Sequence, residues 1–130
     1  MEQRGPQEER EFLIATWSAD YADRSTAWQA AARFHDEGFA MNYECNRMLN
    51  HERNAWQEPE LARRCREIRV PVLVVHGELD PRPSWGTETL VEALPDVERV
   101  VLEGAGHLPW IEREEALRDA LRGFVAKVAA

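Results

Sequence analysis

Residues 70–110 constrain the fold of this chain more than any other segment. Residues 72–75 are a continuous run of valine and leucine, which is typical of a strand buried on both faces. A helical pattern from about Ser84 to Leu94, ended by Pro95, separates this run from a second strand at 97–102. Strand, helix and strand at this spacing predict two parallel strands joined by a right-handed crossover.

Each predicted strand ends in a turn that carries an ionisable side chain. Asp80 lies in the turn after the first strand, and His107 lies in the glycine-rich turn after the second. We expect these turns side by side, because the carboxyl ends of neighbouring parallel strands share one edge of a sheet. A carboxylate beside a histidine supplies two members of a nucleophile–histidine–acid triad. The third member should sit on a turn written G-x-S-x-G, and the sequence contains no such pentapeptide.

The remaining segments read as helices. Residues 1–10 are predicted to be a solvated tail, and 11–67 to be helical, with an apolar pattern around Trp17. Further predicted helices are one capped by Ser25 and ended by Gly38, one at 43–49 and one at 59–67. A last helix from about Glu112 carries one apolar stripe: Leu117, Leu121, Phe124, Val125 and Val128. Nothing in 11–67 pairs convincingly with the first strand, so we expect another segment, another chain or a second copy to complete the sheet.

Composition excludes several classes of function. The net charge of −8 argues against a nucleic-acid partner, because phosphate binding needs a positive surface. No apolar run approaches the ~18 residues of a membrane span, and the first ten residues do not resemble a signal peptide. Cys45 and Cys65 have neither metal-ligand nor redox-motif spacing, which favours a reduced, cytoplasmic setting. We expect no metal and no other cofactor.

Residues 68–125 resemble the C-terminal end of an α/β-hydrolase. The motifs that carry the resemblance are VPVLVVHGELD at 70–80 and LEGAGH at 102–107. The resemblance implies that Asp80 is the acid and His107 the histidine of the triad, and that 11–67 is the cap. Two sequence segments of this cap, WSADY at 17–21 and NYECN at 42–46, most resemble the cap of proline-iminopeptidase-type hydrolases. In that family the earlier strands, the oxyanion-hole loop and the nucleophile elbow precede the cap.

The expected fold is therefore α/β, as a partial α/β-hydrolase fold. It has a tail at 1–10, a helical cap at 11–67 and a C-terminal core at 68–130, in which helices flank a parallel strand pair. Candidate substrate-binding residues are Trp17, Trp85 and Trp110, as an aromatic wall, and Glu44, as a partner for a substrate ammonium group. The tryptophans also suit core packing, and Glu44 also suits a solvated helix face.

Other polar residues fit the triad less well. Glu78 is a poorer candidate for the acid than Asp80, because it lies closer to the strand end. A metal site formed by His76, Asp80 and His107 is a separate alternative, and it lacks a known ligand spacing. Arg82 suits an ion pair with a nearby acid. Ser18, Ser25, Cys45, Cys65 and Ser84 lack an elbow and are poor nucleophile candidates.

Two functions follow. The first is the C-terminal half of a serine hydrolase that acts on a small ester, amide or peptide, completed by an N-terminal hydrolase half. The second is a catalytically inactive remnant that forms a homo-oligomer or binds a ligand or partner protein.

Overall fold

A computed structural model gives the fold and describes residues 4–38, 41–55 and 57–130. Four helices come first: α1 (Pro6–Ser18), α2 (Ala27–Asp36), α3 (Tyr43–Ala55) and α4 (Glu58–Cys65). The second half alternates β1 (Val72–Gly77), α5 (Trp85–Ala93), β2 (Val97–Leu102), α6 (Pro109–Glu112) and α7 (Glu114–Val128). None of these helices, over the described ranges, is long and apolar enough to cross a bilayer.

β1 and β2 form a parallel pair, in register from Val72 opposite Val97 to Gly77 opposite Leu102. The predicted α/β class and strand pair are thus confirmed. The expectation that the first strand is covered on both faces is wrong for this chain, because most of β1 is only half-buried. The sheet has two strands within the described residues, so neither strand has a second neighbour there to cover its outer edge.

A hydrophobic core cluster lies between the helical half and the histidine turn. α1 and α2 enclose a cluster of Ile14, Tyr21, Ala27 and Ala31, to which Leu108 is added from the turn after β2. Burying a side chain such as that of Ile14 or Leu108 stabilises the fold by about 1.5–3 kcal/mol. Because Leu108 directly follows His107, this cluster anchors the histidine turn to the first two helices.

Several sequence predictions at helix ends need correction. The predicted tail at 1–10 is wrong from Pro6 onward, because α1 starts there, after a hydrogen bond of 2.9 Å from the Gly5 N–H to Glu8; residues 1–3 lie outside the described ranges. Ser25 does not cap α2. Asp23 instead accepts hydrogen bonds from Ser25 and from the hydroxyl of Thr26, which precedes the helix.

The C-terminal helix also differs from its prediction. The helical run breaks at Arg113, where an extended φ of −141° separates α6 from α7. The predicted single apolar stripe splits: Leu117 and Phe124 are half-buried, whereas Leu121, Val125 and Val128 are exposed. The division into a cap at 11–67 and a core at 68–130 stays a prediction.

Candidate active site

The structure brings Asp80 and His107 together at one edge of the sheet. The turn after β1 carries Asp80 and the turn after β2 carries His107. The Oδ2 atom of Asp80 lies 2.8 Å from Nδ1 of His107. The Asp80 side chain is only 6% exposed, whereas that of His107 is 32% exposed. The carboxylate is thus shielded, while part of the imidazole remains open to a reactant.

Close backbone contact fixes the two turns against each other. The Leu79 N–H donates to the carbonyl of Ala105 at 2.8 Å, and Glu78 accepts a hydrogen bond from the Gly104 N–H at 3.0 Å. Gly104 has a φ of +65°, a left-handed conformation that favours glycine. Glu78 therefore supports the histidine turn, which agrees with the choice of Asp80 over Glu78 as the partner of His107.

The surroundings of Asp80 favour its charged form. Burial raises the pKa of this carboxyl group, but hydrogen bonds from His107 and from the backbone N–H of Arg82 outweigh burial. The positive potentials of His107 and His76 add to these bonds, so the net pKa lies below its ordinary value. His76 contributes from 3.7 Å, measured between its Nδ1 and Asp80 Oδ2.

This ionisation state determines the role of each ring nitrogen of His107. An ionised carboxylate only accepts hydrogen bonds, so Nδ1 of His107 is the donor in the 2.8 Å contact. In the neutral imidazole Nε2 is then left unprotonated, and it has no hydrogen-bond partner among the described residues. An unprotonated Nε2 on a partly exposed ring is the atom that a general base requires.

The four predicted substrate-binding residues lie on four different helices, and their substrate role stays a prediction. Trp17 packs edge-on against Phe34, with ring centroids 5.2 Å apart, and borders the core cluster. Glu44 is exposed on α3, where it pairs with Arg47. Trp110 is half exposed at the start of α6. The structure therefore favours core packing for Trp17 and a solvated helix face for Glu44.

Trp85 belongs to an open groove of about 500 Å³ between α3, α4 and α5. Leu49, Leu61 and Leu90 supply its apolar wall, with Glu52, Arg53 and Glu58 among its polar lining residues. Neither Asp80 nor His107 lines this groove. The predicted substrate role of Trp85 stays a prediction, and it concerns a surface other than the Asp80–His107 pair.

Sequence reasoning missed two acidic residues at the site. Asp20 accepts a hydrogen bond at its backbone carbonyl from the His107 N–H, at 2.8 Å, and its carboxylate pairs with Arg82 at 3.1 Å. Glu112 accepts hydrogen bonds from the backbone N–H groups of Ala22 and Gly106. In the sequence, the acidic start of the predicted last helix is the one signal that points to Glu112. Contacts between backbone groups far apart in sequence leave no such signal.

The structure also locates the residues of the alternative metal site and the ion-pair partner of Arg82. Within the described part of the chain, no group of three or more His, Cys, Asp or Glu side chains is arranged to hold a metal ion. The imagined site of His76, Asp80 and His107 is therefore not supported. Arg82 does form an ion pair, and its partner is Asp20.

Comparisons with known proteins agree with this architecture. A family model described as X-Pro dipeptidyl-peptidase (S15 family) matches residues 2–109. A thermophilic esterase is 25% identical, with a TM-score of 0.60, over 96% of this chain and 48% of that one. The 2-hydroxy-6-oxo-6-phenylhexa-2,4-dienoate hydrolase from Rhodococcus sp. strain RHA1 is 21% identical, with a TM-score of 0.57, over 95% of this chain and 50% of that one.

A proline iminopeptidase from Mycobacterium smegmatis is 28% identical over 52% of this chain and 22% of that one, with a TM-score of 0.49. No curated protein matches the chain. The chain spans half or less of the length of these solved structures. Because the family model covers most of the sequence, and the fold is that of the esterase and the hydrolase, the chain belongs to the X-Pro dipeptidyl-peptidase (S15) family, within the α/β-hydrolases.

Proposed function

We propose that this chain supplies the acid and the histidine of a serine hydrolase, and that a segment outside these 130 residues supplies the nucleophile and the oxyanion hole. The observation that carries the proposal is the 2.8 Å contact between Asp80 Oδ2 and His107 Nδ1. Two supports add to it: membership of a hydrolase family, and a match to half or less of the length of two similar hydrolase structures.

The chemistry is acyl transfer in two steps. A serine hydroxyl from the completing segment attacks the substrate carbonyl, and His107 Nε2 takes the hydroxyl proton. As the bond between the carbonyl carbon and the leaving amine or alcohol breaks, the same proton passes to that leaving group, and the acyl–serine ester remains. Water then gives a proton to His107 and attacks the ester, the serine–acyl bond breaks, and the proton returns to the serine oxygen as the acid is released. Asp80 holds the imidazole in the required tautomer and stabilises its charged form. General acid–base help of this kind contributes about 10²–10⁴-fold to a rate.

The substrate class is a small peptide, amide or ester. The family name refers to peptides that have proline in the second position, and one similar structure is an esterase. A dipeptide X-Pro joined to a chromogenic amine is therefore the first substrate to test, and a short-chain nitrophenyl ester is the second.

The completing segment adds strands to the free edge of the sheet. β1 is half-buried on its faces, and within the described ranges it has only β2 beside it. Parallel strands are stable when both neighbours and both faces are covered. An N-terminal hydrolase half is the proposed partner for this edge, and a second copy of this chain is the alternative.

A fluorophosphonate probe tests the proposal, because it labels activated serines. We expect no labelling of the 130-residue chain alone. Labelling and X-Pro hydrolysis should appear when a polypeptide that carries a G-x-S-x-G elbow, encoded next to this chain, is added. His107→Gln in that complex should reduce turnover by about 10²-fold or more, whereas Glu115→Gln, on an exposed residue of α7, should not. Strong labelling of a serine within this chain, or an active His107→Gln complex, would refute the proposal.

The second candidate is a catalytically inactive binding module. It is favoured by the open groove beside Trp85, a side chain that is 64% exposed. Solution scattering discriminates between the two. A defined dimer that shows no hydrolysis with any elbow-bearing partner favours the module, whereas a monomer that gains activity on complementation excludes it.

A further inference from the structure

Glu112 makes an unusual pair of contacts next to the histidine turn. Its Oε1 atom accepts a hydrogen bond from the backbone N–H of Ala22, and its Oε2 atom accepts one from that of Gly106, both at 2.7 Å. Ala22 lies between α1 and α2, whereas Gly106 directly precedes His107. One carboxylate thus links the helical half of the chain to the turn that carries the histidine.

Two more contacts tie the same segments together. The N–H of His107 donates to the Asp20 carbonyl at 2.8 Å, and the Arg82 guanidinium lies 3.1 Å from the Asp20 carboxylate. The approach is close: a Cβ atom on Gly106 would lie 2.6 Å from the Asp20 carbonyl oxygen and 2.7 Å from the Ala22 nitrogen. Residues 20–22 therefore contact both the acid-bearing and the histidine-bearing turn.

We propose that Glu112 is a positioning residue, which holds the His107 turn against residues 20–22 and so keeps the imidazole within bonding distance of Asp80. Gly104 and Gly106 leave the backbone before His107 free to adopt many conformations, so outside contacts must select one. Glu112 supplies two bonds to a charged acceptor for that purpose. The catalytic importance of this positioning rests on the proposed function, but the positioning itself does not.

The substitution Glu112→Gln keeps the shape of the side chain but removes its charge and one of its acceptor atoms. A carboxylate accepts one N–H on each oxygen, whereas a side-chain amide accepts on one atom and presents a donor on the other. In Glu112→Gln, either Ala22 or Gly106 therefore faces a second donor. Glu115→Gln makes the same change on an exposed residue of the neighbouring helix and is the matched control.

The test follows the proton on Nδ1 of His107 by NMR in the full 130-residue chain. We expect this proton to exchange with water about ten- to hundredfold faster in Glu112→Gln than in Glu115→Gln, the factor for one hydrogen bond to a charged group. The amide of Val75, within β1, is followed in parallel. Faster exchange of the His107 ring proton, with no change at the Val75 amide, supports the positioning role. Equal acceleration at both sites, or none, overturns it.

A measurement on the unaltered chain covers the case in which Glu112→Gln does not fold. The N–H groups of Ala22 and Gly106 should exchange at least about tenfold more slowly than unbonded loop amides. Exchange as fast as in free loops would overturn the proposal. Because these measurements need no nucleophile, their failure is distinct from a failure of fluorophosphonate labelling.

Discussion

Replacing Gly77 by alanine should separate the two turns of the candidate site. An added Cβ atom would lie 2.5 Å from the carbonyl oxygen of Ala105 and 2.8 Å from its carbonyl carbon, and closer still to the oxygen of Gly106. Real Cβ contacts are essentially never shorter than 3.0 Å. All three atoms belong to the backbone, so no side chain can turn aside. The histidine turn must therefore shift by roughly 0.5 Å or more.

The energetic cost follows from two effects. Overpacking a tight interior position costs about 1–3 kcal/mol. The shift also strains the 2.8 Å hydrogen bond from the Leu79 N–H to Ala105, and the loss of one such bond costs about 0.5–1.5 kcal/mol. We therefore expect Gly77→Ala to lower the free energy of unfolding by about 2–4 kcal/mol.

Urea denaturation followed by tryptophan fluorescence measures this loss. Gly123→Ala is the control, because Gly123 lies within α7 and an added Cβ atom there meets nothing within 4 Å. Removing a glycine from an exposed helix should raise stability by about 0.5–1 kcal/mol. A lower free energy of unfolding for Gly77→Ala together with a higher one for Gly123→Ala supports the reasoning. A Gly77→Ala protein within about 0.5 kcal/mol of the unaltered chain would refute the close approach of the turns.

Three further predictions concern single side chains near the site. The pKa of Asp80 is lowered on folding, so its ionised form stabilises the fold above the ordinary value of 3.8, and that stability is lost as the pH falls through the lowered pKa. Asp80→Asn should therefore be less stable than the unaltered chain at pH 7, by a margin that shrinks on acidification; in urea titrations, a margin independent of pH would contradict this. Tyr21 is buried, and its hydroxyl has no partner among the described residues, so Tyr21→Phe should be neutral or stabilising by up to about 1–3 kcal/mol. A clear loss of stability in thermal unfolding would indicate a bonded hydroxyl. Gly104→Ala must adopt a φ of +65° and should cost about 1–2 kcal/mol in urea denaturation, whereas no loss would show that the turn can change its conformation.

The strands and the acid–histidine pair were predictable from the sequence because their signals are local. A valine run followed by a polar turn specifies where a strand ends, and parallel pairing then determines which turns meet. Helix ends were less predictable. Asp23, and not Ser25, binds the N–H and hydroxyl groups before α2, because several polar residues there compete for the same donors. The stripe on α7 was predicted as one face, but only part of it is covered by the rest of the described chain.

The sequence by itself determined the α/β class, the strand–helix–strand order of the second half and the pairing of Asp80 with His107, because strand periodicity and turn composition depend on neighbouring residues. Only the tertiary structure decided the burial of the Asp80 carboxylate, the packing of Trp17 against Phe34 and the two backbone contacts of Glu112. These depend on burial and on hydrogen bonds between backbone groups far apart along the chain, such as those of Ala22 and Gly106 with one carboxylate. Every residue carries the same backbone C=O group, and every residue except proline carries the same N–H group. The sequence therefore does not indicate which distant backbone groups will form a hydrogen bond.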